Sequence, residues 1–578
     1  MVPLRQECLP LLFCLLVGLA VSLLPHFLSR WQHGDWVWFM NHDELEAYAP
    51  TAAHSYHNHP FRLGDYFLSK EGRTNFPGLQ LLPPVLLAKF LGLGPELIPL
   101  VWRVVMGLMV PASLYLLARQ MVSRVGAVVM TCVLMLDHGA LYGRLFDRQL
   151  VDLVRVHSTP EFFFGRDGSL VSIWRITPAL PLPFLLFLIA ALIRGRREDC
   201  WKWRVVAGVA MGVVFYSYFY FWTAAAIALV FLFLFDSEAR RFYFHSGWIG
   251  ALLGLPQVLH GSQVKKELGV EWFQRMETFL PVGRFAELQI PPVASLMALV
   301  TFLGIWVRWR AARPLAAVTL VALLFQNHQL VTGLQMENFH WSYAWGPCLM
   351  LSCLYVGARL IPDSLPSWVR PAGFLLLGIH AAIGFYMRGL DYGRFARVNE
   401  VNRGWRLYRE RNRSTPAPEF DRRWRVAGDP DFGLYTKITG NVCELYGGAY
   451  YSQTVSADML MDIYALNQFL RGIPEEMAVE RAPYRGMAGD GRDPEARKRR
   501  EDQVRSRYRV HAADAAPALD RYGVGYLALP QGSSSTAPSQ PKSGWTLMRK
   551  GPTWTLWSRE VREPQPATDV SAGWIRRP

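Results

Sequence analysis

Long apolar runs restrict the fold of this chain more than any other feature of its sequence. A helix needs about 20 apolar residues to cross a bilayer, and somewhat fewer inside a bundle. The runs that meet this need all lie before about residue 390; they are 8–28, 98–118, 126–144, 174–194, 203–218, 220–236, 245–261, 290–307, 314–331, 342–360 and 371–389. They predict a polytopic α-helical membrane protein with about 11 spans, because an unpaired backbone is not tolerated in lipid.

The last third of the chain has a different composition. The 578 residues are 51% hydrophobic, but residues 391–578 are rich in Arg, Asp, Gly and Pro. The short stretches 423–428 and 525–529 are typical of buried strands, and 456–471 has helical periodicity between them. The sequence therefore predicts a transmembrane body over 1–390, followed by a small soluble α/β domain.

Two further predictions concern this soluble domain. Aromatic and apolar residues on both sides of the Gly551-Pro552 turn signal indicate a final hairpin. The charge-dense segment 485–507 and the Ser/Pro/Gln-rich segment 531–543 are expected to be mobile.

Lys and Arg orient the spans. Basic loops follow every second span, at Arg119, Arg194, Arg240, Arg308 and Arg359. Because cytoplasmic loops are enriched in these residues, we expect the N-terminus inside and the C-terminal domain outside. The loops then expected on the outer side are 30–97, 145–173, 262–289 and 332–341.

Two apolar runs need separate arguments. Residues 78–94 hold Pro83-Pro84 and Lys89, and a crossing there would turn the next two basic loops outward. We therefore expect a helix that lies on the outer surface. The first run resembles a signal peptide, with Arg5 ahead of it, but has no small-residue cleavage site, so we predict an uncleaved anchor.

Residues 203–236 are too long for one span. An aromatic cluster from Tyr216 to Trp222 stands in the middle. We expect an outer turn at this cluster between two short helices. For the aromatic side chains themselves, an interfacial aromatic belt is the favoured account.

The formal charge of +15 would be compatible with a nucleic-acid partner. However, many basic residues flank apolar runs, where cytoplasmic loops and lipid headgroups explain them. We therefore expect membrane lipids and no nucleic acid as partners. The seven cysteines form no metal pattern and predict no disulfide framework.

The first outer loop carries an acidic pair, Asp43-Glu44, about a dozen residues beyond the first span. Acids so close to a membrane are costly unless they pair, bind a cation or take part in chemistry. The alternative is a solvated helix start, with Asn41 or Asp43 as its cap.

Three histidines follow in the same loop: His54, His57 and His59. We expect them to be hydrogen-bonded or exposed, since no partner Cys or His stands at a recognised spacing. A transition-metal site is the alternative.

The second outer loop contains the acids Asp147, Asp152 and Glu161, and the next span opens near Arg175. A guanidinium at a membrane entrance is well shaped to hold a lipid phosphate. A snorkelling or loop-paired arginine is the alternative.

The chain becomes polar again from residue 326, where a span gives way to a loop. His328, Gln329, Glu337 and His340 lie in this stretch. Such polarity is costly in lipid, so we expect the segment to face a water-filled cavity.

The order of these features resembles the GT-C superfamily of integral-membrane glycosyltransferases, which includes protein O-mannosyltransferases, aminoarabinose transferases and oligosaccharyltransferase catalytic subunits. The similar features are the uncleaved first helix, the pair Asp43-Glu44 that opens a long outer loop, and the surface helix with Pro83-Pro84. The span that starts Arg175-Ile176-Thr177-Pro178, the Asn/Gln/His-rich late loop and the stretch from Arg521 to Ala528 resemble uncharacterised bacterial members.

The resemblance implies an inverting transfer of a sugar from a polyprenyl-phosphate carrier to a glycan, lipid or protein acceptor. The reaction would take place on the outer face of a bacterial inner membrane. Asp43 would be the general base, with Glu44 as the second candidate. The substrate-binding candidates are Arg175 and His340 for the carrier phosphate, with Glu337, Gln329 and His328.

Some members of the superfamily hold a divalent cation with carboxylates from the first two outer loops. Here Asp147, Asp152 and Glu161 would be the ligands of Mg²⁺ or Mn²⁺. The loop lacks an Asp-x-Asp motif.

Two other classes of protein share this hydropathy pattern. A transporter would place charged or broken-helix sites near the midplane and often show repeated halves, whereas here the polar clusters lie in outer loops. A non-enzymatic membrane scaffold or sensor with an outer binding domain is the second class. The C-terminal domain has no nucleophile or cofactor pattern, and we expect it to shape access of the acceptor.

Overall fold

The computed structural model describes most of the chain. The described residues are 4–34, 44–58, 64–65, 72–73, 79–137, 179–275, 280–281, 284–285, 288–336, 338–361, 369–394, 424–440, 445–446, 457–482, 494–530, 544–550 and 554–559.

Helices dominate the described part of the membrane body. They are α1 (Leu4–His33), α2 (Ala49–His57), α3 (Leu82–Phe90), α4 (Ile98–Arg119), α5 (Arg124–Leu136), α6 (Leu182–Glu198), α7 (Trp201–Phe215), α8 (Phe219–Phe235), α9 (Arg240–Arg275), α10 (Pro292–Val307), α11 (Arg313–Phe325), α12 (Gln329–Thr332), α13 (Ser342–Leu360) and α14 (Val369–Arg394). A π-helical turn, Glu44–Tyr48, leads directly into α2. Two short antiparallel pairs join β1 (Gly64–Asp65) to β2 (Gly72–Arg73) and β3 (Leu280–Pro281) to β4 (Leu334–Gln335).

Each of the eleven predicted spans overlaps at least one of these helices. Among the described residues, the stretches Gln6–Gln32 and Pro95–Arg119 are long and apolar enough to cross a membrane by themselves. A third candidate is the pair Phe219–Phe235 and Ser237–Gln263, which are bent by 103° at their break. The count of eleven crossings stays a prediction, since a helix of about 16 residues is only about 24 Å long and the hydrocarbon is about 30 Å thick.

The segment 78–94 forms α3, which has nine residues. At 1.5 Å per residue it is about 14 Å long, too short to cross the hydrocarbon. Val85 and Ala88 are buried against α4, while Leu86 and Phe90 are exposed. This arrangement agrees with the predicted surface helix.

The segment 203–236 divides into α7 and α8, with a break at residues 216–218. Tyr218, Tyr220 and Phe221 are buried within the protein. The interfacial-belt account is therefore wrong for these three side chains, because the break turns them inward.

Glycines permit the close crossing of α7 and α9. A Cβ on Gly208 would lie 2.6 Å from the side chain of Ile249, and one on Gly254 would lie 2.3 Å from Phe215. Small residues let helix backbones approach closely in membranes, where packing drives association.

Asp236 joins three helices on the predicted cytoplasmic side. Its carboxylate accepts hydrogen bonds from Arg196 Nε at 2.6 Å, Arg313 Nη1 at 2.6 Å and the Tyr243 hydroxyl at 3.0 Å. Glu238 adds a contact to Arg196 Nη2 at 2.8 Å. We refer to Asp236, Arg196, Arg313 and Tyr243 as the cytoplasmic clamp.

The described part of the C-terminal domain contains one four-stranded sheet. Its strands, in spatial order, are β5 (Arg425–Gly428), β6 (Val524–Pro530), β8 (Trp554–Arg559) and β7 (Trp545–Lys550). β5 and β6 are parallel, and β7 and β8 form the predicted hairpin. The helices are α15 (Pro430–Gly440), α16 (Ala457–Leu470), α17 (Glu475–Glu480), α18 (Pro494–Ala513) and α19 (Ala516–Arg521).

The prediction of a mobile segment at 485–507 is wrong for its second half, because α18 begins at Pro494. Its charged side chains form ion pairs within the helix and with α17. Arg497 Nε lies 3.0 Å from Glu501, and Arg509 Nη2 lies 2.9 Å from Glu475 of α17. The segment 531–543 lies outside the described residues.

The C-terminal domain and the membrane body share a hydrophobic core. Leu434 and Ile438 of α15 pack in one cluster with Leu45, Ala52 and Trp102. Within the described part of the first outer loop, α2 therefore lies between α4 and α15.

Candidate functional site

A buried ion pair connects the first outer loop to α4. Arg103 Nη2 lies 2.6 Å from Oε1 and 2.5 Å from Oε2 of Glu44. Both side chains are 0% exposed. Desolvation of two charges costs several kcal/mol per ion, so a pair of this kind contributes little net stability. Glu44 directly follows Asp43, the predicted general base, in the sequence. The pair therefore indicates a functional site.

A close helix crossing places Arg103. A Cβ on Gly18 of α1 would lie 2.2 Å from the carbonyl oxygen of Gly107 in α4. About one turn further along, the Ser22 hydroxyl donates to the Arg103 carbonyl at 2.9 Å. The backbone that carries the guanidinium is thus held by direct contact with α1.

The Arg103 guanidinium has unused donors. Its Nε and Nη1 atoms are buried and have no hydrogen-bond partner among the described residues. A buried donor without a partner costs about 1–3 kcal/mol, and more on a charged group. Each of these N–H groups would be satisfied best by an anionic oxygen, because hydrogen bonds between charged groups are shorter and stronger than neutral ones.

The histidines of the first outer loop have structural contacts. His57 Nε2 lies 2.9 Å from the Ile438 carbonyl of α15, and His54 Nδ1 lies 3.0 Å from the Asn58 side-chain amide. His57 thus ties α2 to the C-terminal domain by donating to a carbonyl. His59 lies outside the described residues.

We refer to residues 326–341 as the late outer segment. It begins with a network of hydrogen-bonded amides. Gln326 donates to Gln289 Oε1 at 2.7 Å and accepts from Trp345 Nε1 at 2.8 Å. Asn327 pairs with the backbone N–H and carbonyl of Gln289, both at 2.8 Å. The predicted span 314–331 is broken at this network, because α11 ends at Phe325 and α12 begins at Gln329.

His340 lies against the inward-facing aromatics of the 216–222 cluster. Its ring stacks on Tyr220 with centroids 4.8 Å apart, and its Nδ1 pairs with the Tyr218 hydroxyl. The same turn contacts the end of the first outer loop, since Leu79 N donates to the Tyr216 carbonyl at 3.2 Å. The break between α7 and α8 therefore connects the first and the late outer segments.

No family model matches the sequence, and no curated protein matches it. Solved structures do match. ArnT from Cupriavidus metallidurans, in a crystal structure bound to undecaprenyl phosphate, has a TM-score of 0.51 and 12% identity, with 95% of this chain and 97% of ArnT covered. The chain has the fold of the GT-C membrane glycosyltransferases.

Two structures from Archaeoglobus fulgidus also match. The oligosaccharyltransferase in its apo form has a TM-score of 0.48 and 10% identity, with 91% of this chain and 70% of that chain covered. The oligosaccharyltransferase AglB with an inhibitory peptide and a dolichol-phosphate has a TM-score of 0.46 and 12% identity, with 90% and 69% covered. At these identities a match concerns the fold and assigns no residue a role.

In this GT-C fold, the predicted site residues divide into two groups. Glu44, His328, Gln329 and His340 are described, and Glu44, His328 and Gln329 are buried. The others lie outside the described residues; they are Asp43, Glu337, Arg175, Asp147, Asp152 and Glu161. In the part of the chain that the structure describes, no group of three His, Cys, Asp or Glu side chains could hold a metal ion.

Arg103 is the site residue that the sequence analysis missed. A signal was present, since Arg103 stands in the apolar run Val101-Trp102-Arg103-Val104-Val105. An ionisable residue inside a span is costly, so by default it has a partner and a function. Only the structure identified Glu44 as that partner.

Proposed function

We propose that the chain is an integral-membrane glycosyltransferase that moves a sugar from a polyprenyl-phosphate carrier to an acceptor on the outer face of the membrane. The observation that carries the proposal is the buried Arg103 guanidinium within a GT-C fold. Glu44 accepts from its Nη2, and the Nε and Nη1 donors, which have no partner in the described part of the chain, suit an anionic oxygen. Undecaprenyl phosphate, which is bound in the ArnT structure, is an anion of this class.

The proposed chemistry is a direct displacement. The acceptor hydroxyl or amide gives its proton to the Asp43 carboxylate while its oxygen or nitrogen forms a bond to the anomeric carbon. The bond from that carbon to the phosphate oxygen breaks, and the electron pair stays on the leaving phosphate. Attack opposite the leaving group inverts the anomeric configuration.

Glu44 and Arg103 have distinct roles in this scheme. Arg103 stabilises the charge that develops on the phosphate, which electrostatic preorganisation makes effective in a dry site. Glu44 holds the guanidinium and anchors the segment that begins with the neighbouring Asp43. The proposal thus shifts Glu44 from second general base to positioning residue.

The remaining candidates complete the proposed site. Arg175 would bind the carrier phosphate at the membrane entrance, while His340, His328, Gln329 and Glu337 would bind the donor from the late outer segment. A Mg²⁺ or Mn²⁺ ion is proposed only through Asp147, Asp152 and Glu161, because the described residues contain no metal group. If the ion is required, EDTA should abolish turnover and Mg²⁺ or Mn²⁺ should restore it.

We further propose that the protein lies in a bacterial inner membrane with the C-terminal domain outside the cytoplasm. Cysteine substitutions at exposed positions would test this orientation. A membrane-impermeant maleimide should label a cysteine at Val510 of α18 in intact spheroplasts, and should label one at Val125 of α5 only after lysis.

The decisive experiment replaces Asp43 with Asn in the full chain reconstituted in nanodiscs. Transfer of radiolabelled sugar from an undecaprenyl-phosphate donor should fall about 100- to 10,000-fold, the usual contribution of a general base. Binding of undecaprenyl phosphate should be retained. Glu96→Gln, which removes another acid of the first outer loop, is the matched control and should transfer normally.

Unchanged transfer by the Asp43→Asn variant would refute the assignment of the base. Sugar movement across the bilayer without a glycosylated product would support the transporter class instead.

A further inference from the structure

Two buried ring nitrogens of the late outer segment, Nε2 of His328 and Nε1 of Trp341, have no hydrogen-bond partner among the described residues. His328 is 7% exposed and Trp341 is 1% exposed. The two ring centres are 6.2 Å apart. Proteins pair the great majority of buried polar groups, so two exceptions on neighbouring rings require a partner.

The two nitrogens have complementary hydrogen-bonding character. His328 Nδ1 lies 3.2 Å from the Phe325 carbonyl, which can only accept, so the proton of the neutral ring belongs on Nδ1. His328 Nε2 is then an acceptor, whereas Trp341 Nε1 is always a donor. A hydroxyl group both donates and accepts, so it is the simplest group that satisfies both atoms. An anion would satisfy only the indole, and a cation only the imidazole.

The rings are held in place by their neighbours. Trp341 packs edge-on against Tyr220 at 5.1 Å and also contacts Phe325 at 5.2 Å. Tyr220 in turn stacks on His340. A fixed indole cannot rotate to find another acceptor, so its N–H direction is set before any ligand arrives.

Polar groups that neighbour the two nitrogens in the same segment do have partners. Trp345 stands four residues after Trp341, and its Nε1 donates to Gln326 at 2.8 Å. Gln326 is itself bonded to Gln289. This segment therefore satisfies the amides of Gln326 and Asn327 and one indole, while the Trp341 indole and His328 Nε2 have no partner within the described ranges.

We propose that His328 Nε2 and Trp341 Nε1 form a subsite for a hydroxyl group of the donor's sugar. The proposal rests on the glycosyltransferase function and assigns the sugar, rather than the phosphate, to the late outer segment. A bound water molecule has the same hydrogen-bonding chemistry and is the source that the experiment must separate from a sugar.

The test compares Trp341→Phe with Trp345→Phe in the full chain in nanodiscs. Both variants lose one indole N–H, but of the two indoles only that of Trp345 has an acceptor among the described residues. Affinity is measured for undecaprenyl phosphate and for undecaprenyl-phosphate sugars that carry glucose, mannose or 4-amino-4-deoxyarabinose. The sugar lipid that the wild type binds most tightly is the probe.

We expect Trp341→Phe to weaken binding of this sugar lipid about 10-fold, which corresponds to one neutral hydrogen bond. Binding of undecaprenyl phosphate should not change. Trp345→Phe should lower thermal stability and leave the ratio of the two affinities as in the wild type. His328→Asn retains a donor for the Phe325 carbonyl but removes the acceptor at Nε2, so it should reproduce the Trp341→Phe result.

An equal effect of Trp341→Phe on both lipids, or no effect on either, would show that the subsite holds only water and would overturn the inference. In both cases the glycosyltransferase proposal survives if the wild type transfers sugar. If the wild type binds neither lipid, the proposed function fails, and the subsite for its donor fails with it.

Discussion

Two buried clusters of acid and arginine stand at opposite ends of the membrane body, and they differ in how completely their groups are paired. In the cytoplasmic clamp, two arginines and a tyrosine hydroxyl surround one carboxylate, Asp236, at 2.6–3.0 Å. At the outer end, Arg103 meets the carboxylate of Glu44, and two of its buried donors have no partner in the part of the chain that the structure describes.

This difference distinguishes a cluster that stabilises the fold from one that we expect to bind a ligand. A fully bonded buried carboxylate rigidifies the helices that it joins. Unused donors on a buried guanidinium cost desolvation energy, which a bound anion would offset. Variants at the two ends should therefore change different properties of the protein.

The largest expected effect is loss of stability at the cytoplasmic clamp. Asp236→Asn leaves two buried arginines short of a charge, which should lower the free energy of unfolding by about 3–5 kcal/mol. Turnover per folded molecule should be unchanged. Denaturation in detergent and single-turnover assays would measure the two quantities. Glu238→Gln, at a carboxylate whose side chain is 48% exposed, is the control and should cost less than about 1 kcal/mol.

Arg103→Lys should have the opposite signature. Lys keeps the charge but cannot form the planar fork, so turnover should fall about 100-fold, or about 2.7 kcal/mol of barrier. The melting temperature should change little. Arg119→Lys changes an arginine at the other end of α4, which is bonded to Glu7; its turnover should be normal. Equal losses in the two variants would contradict a special role for Arg103.

Gly18→Ala and Gly254→Ala test whether helix crossings matter equally at the two ends. Each new Cβ meets an atom within 2.3 Å, and overpacking of this kind costs about 1–3 kcal/mol. Both variants should lose similar stability, but only Gly18→Ala should also lower turnover, because α1 positions the backbone of Arg103. Equal turnover in the two proteins would separate the α1–α4 contact from the reaction.

The smallest expected effect concerns Asp462 of the C-terminal domain. Burial alone would raise the pKa of this carboxyl, but hydrogen bonds from His511, Tyr522 and Arg507 outweigh it and hold the pKa well below its usual value. Asp462 is thus a paired carboxylate like Asp236.

The lowered pKa fixes the sign of a pH effect on stability. In the unfolded chain the pKa is about 3.9. The stabilisation by Asp462 is therefore complete well above that pH. It is lost progressively as pH falls from about 5 through the folded-state pKa. The melting temperature should drop less between pH 6 and pH 3 in Asp462→Asn than in the wild type. Identical slopes in the two proteins would argue against the lowered pKa.

Much of the architecture could be predicted from local pattern. The positions of the eleven helical segments, the short helix at 82–90 and the hairpin at 545–559 follow from hydropathy, proline placement and turn signals. The order of α18 could not be predicted. Its composition favours disorder, and the pairing of Arg509 with Glu475 of another helix exists only in the folded domain.

The candidate site was only partly accessible to sequence reasoning. The acidic pair Asp43-Glu44 and the late polar segment stand out, because polar residues beside apolar runs are costly. Arg103 escaped notice, and the 216–222 aromatics were open to a lipid-facing interpretation, since hydropathy does not show which way a side chain points.

The sequence by itself determined a mostly helical chain with a small sheet near its C-terminal end, because burial of apolar side chains and pairing of backbone groups depend on local composition. The tertiary structure alone decided that Glu44 meets Arg103, that α15 packs on α2, and that the Trp341 N–H has no acceptor among the described residues. Those facts depend on contacts between residues far apart in the chain, and the approach of α1 to α4 at Gly18 and Gly107 brings one such set together.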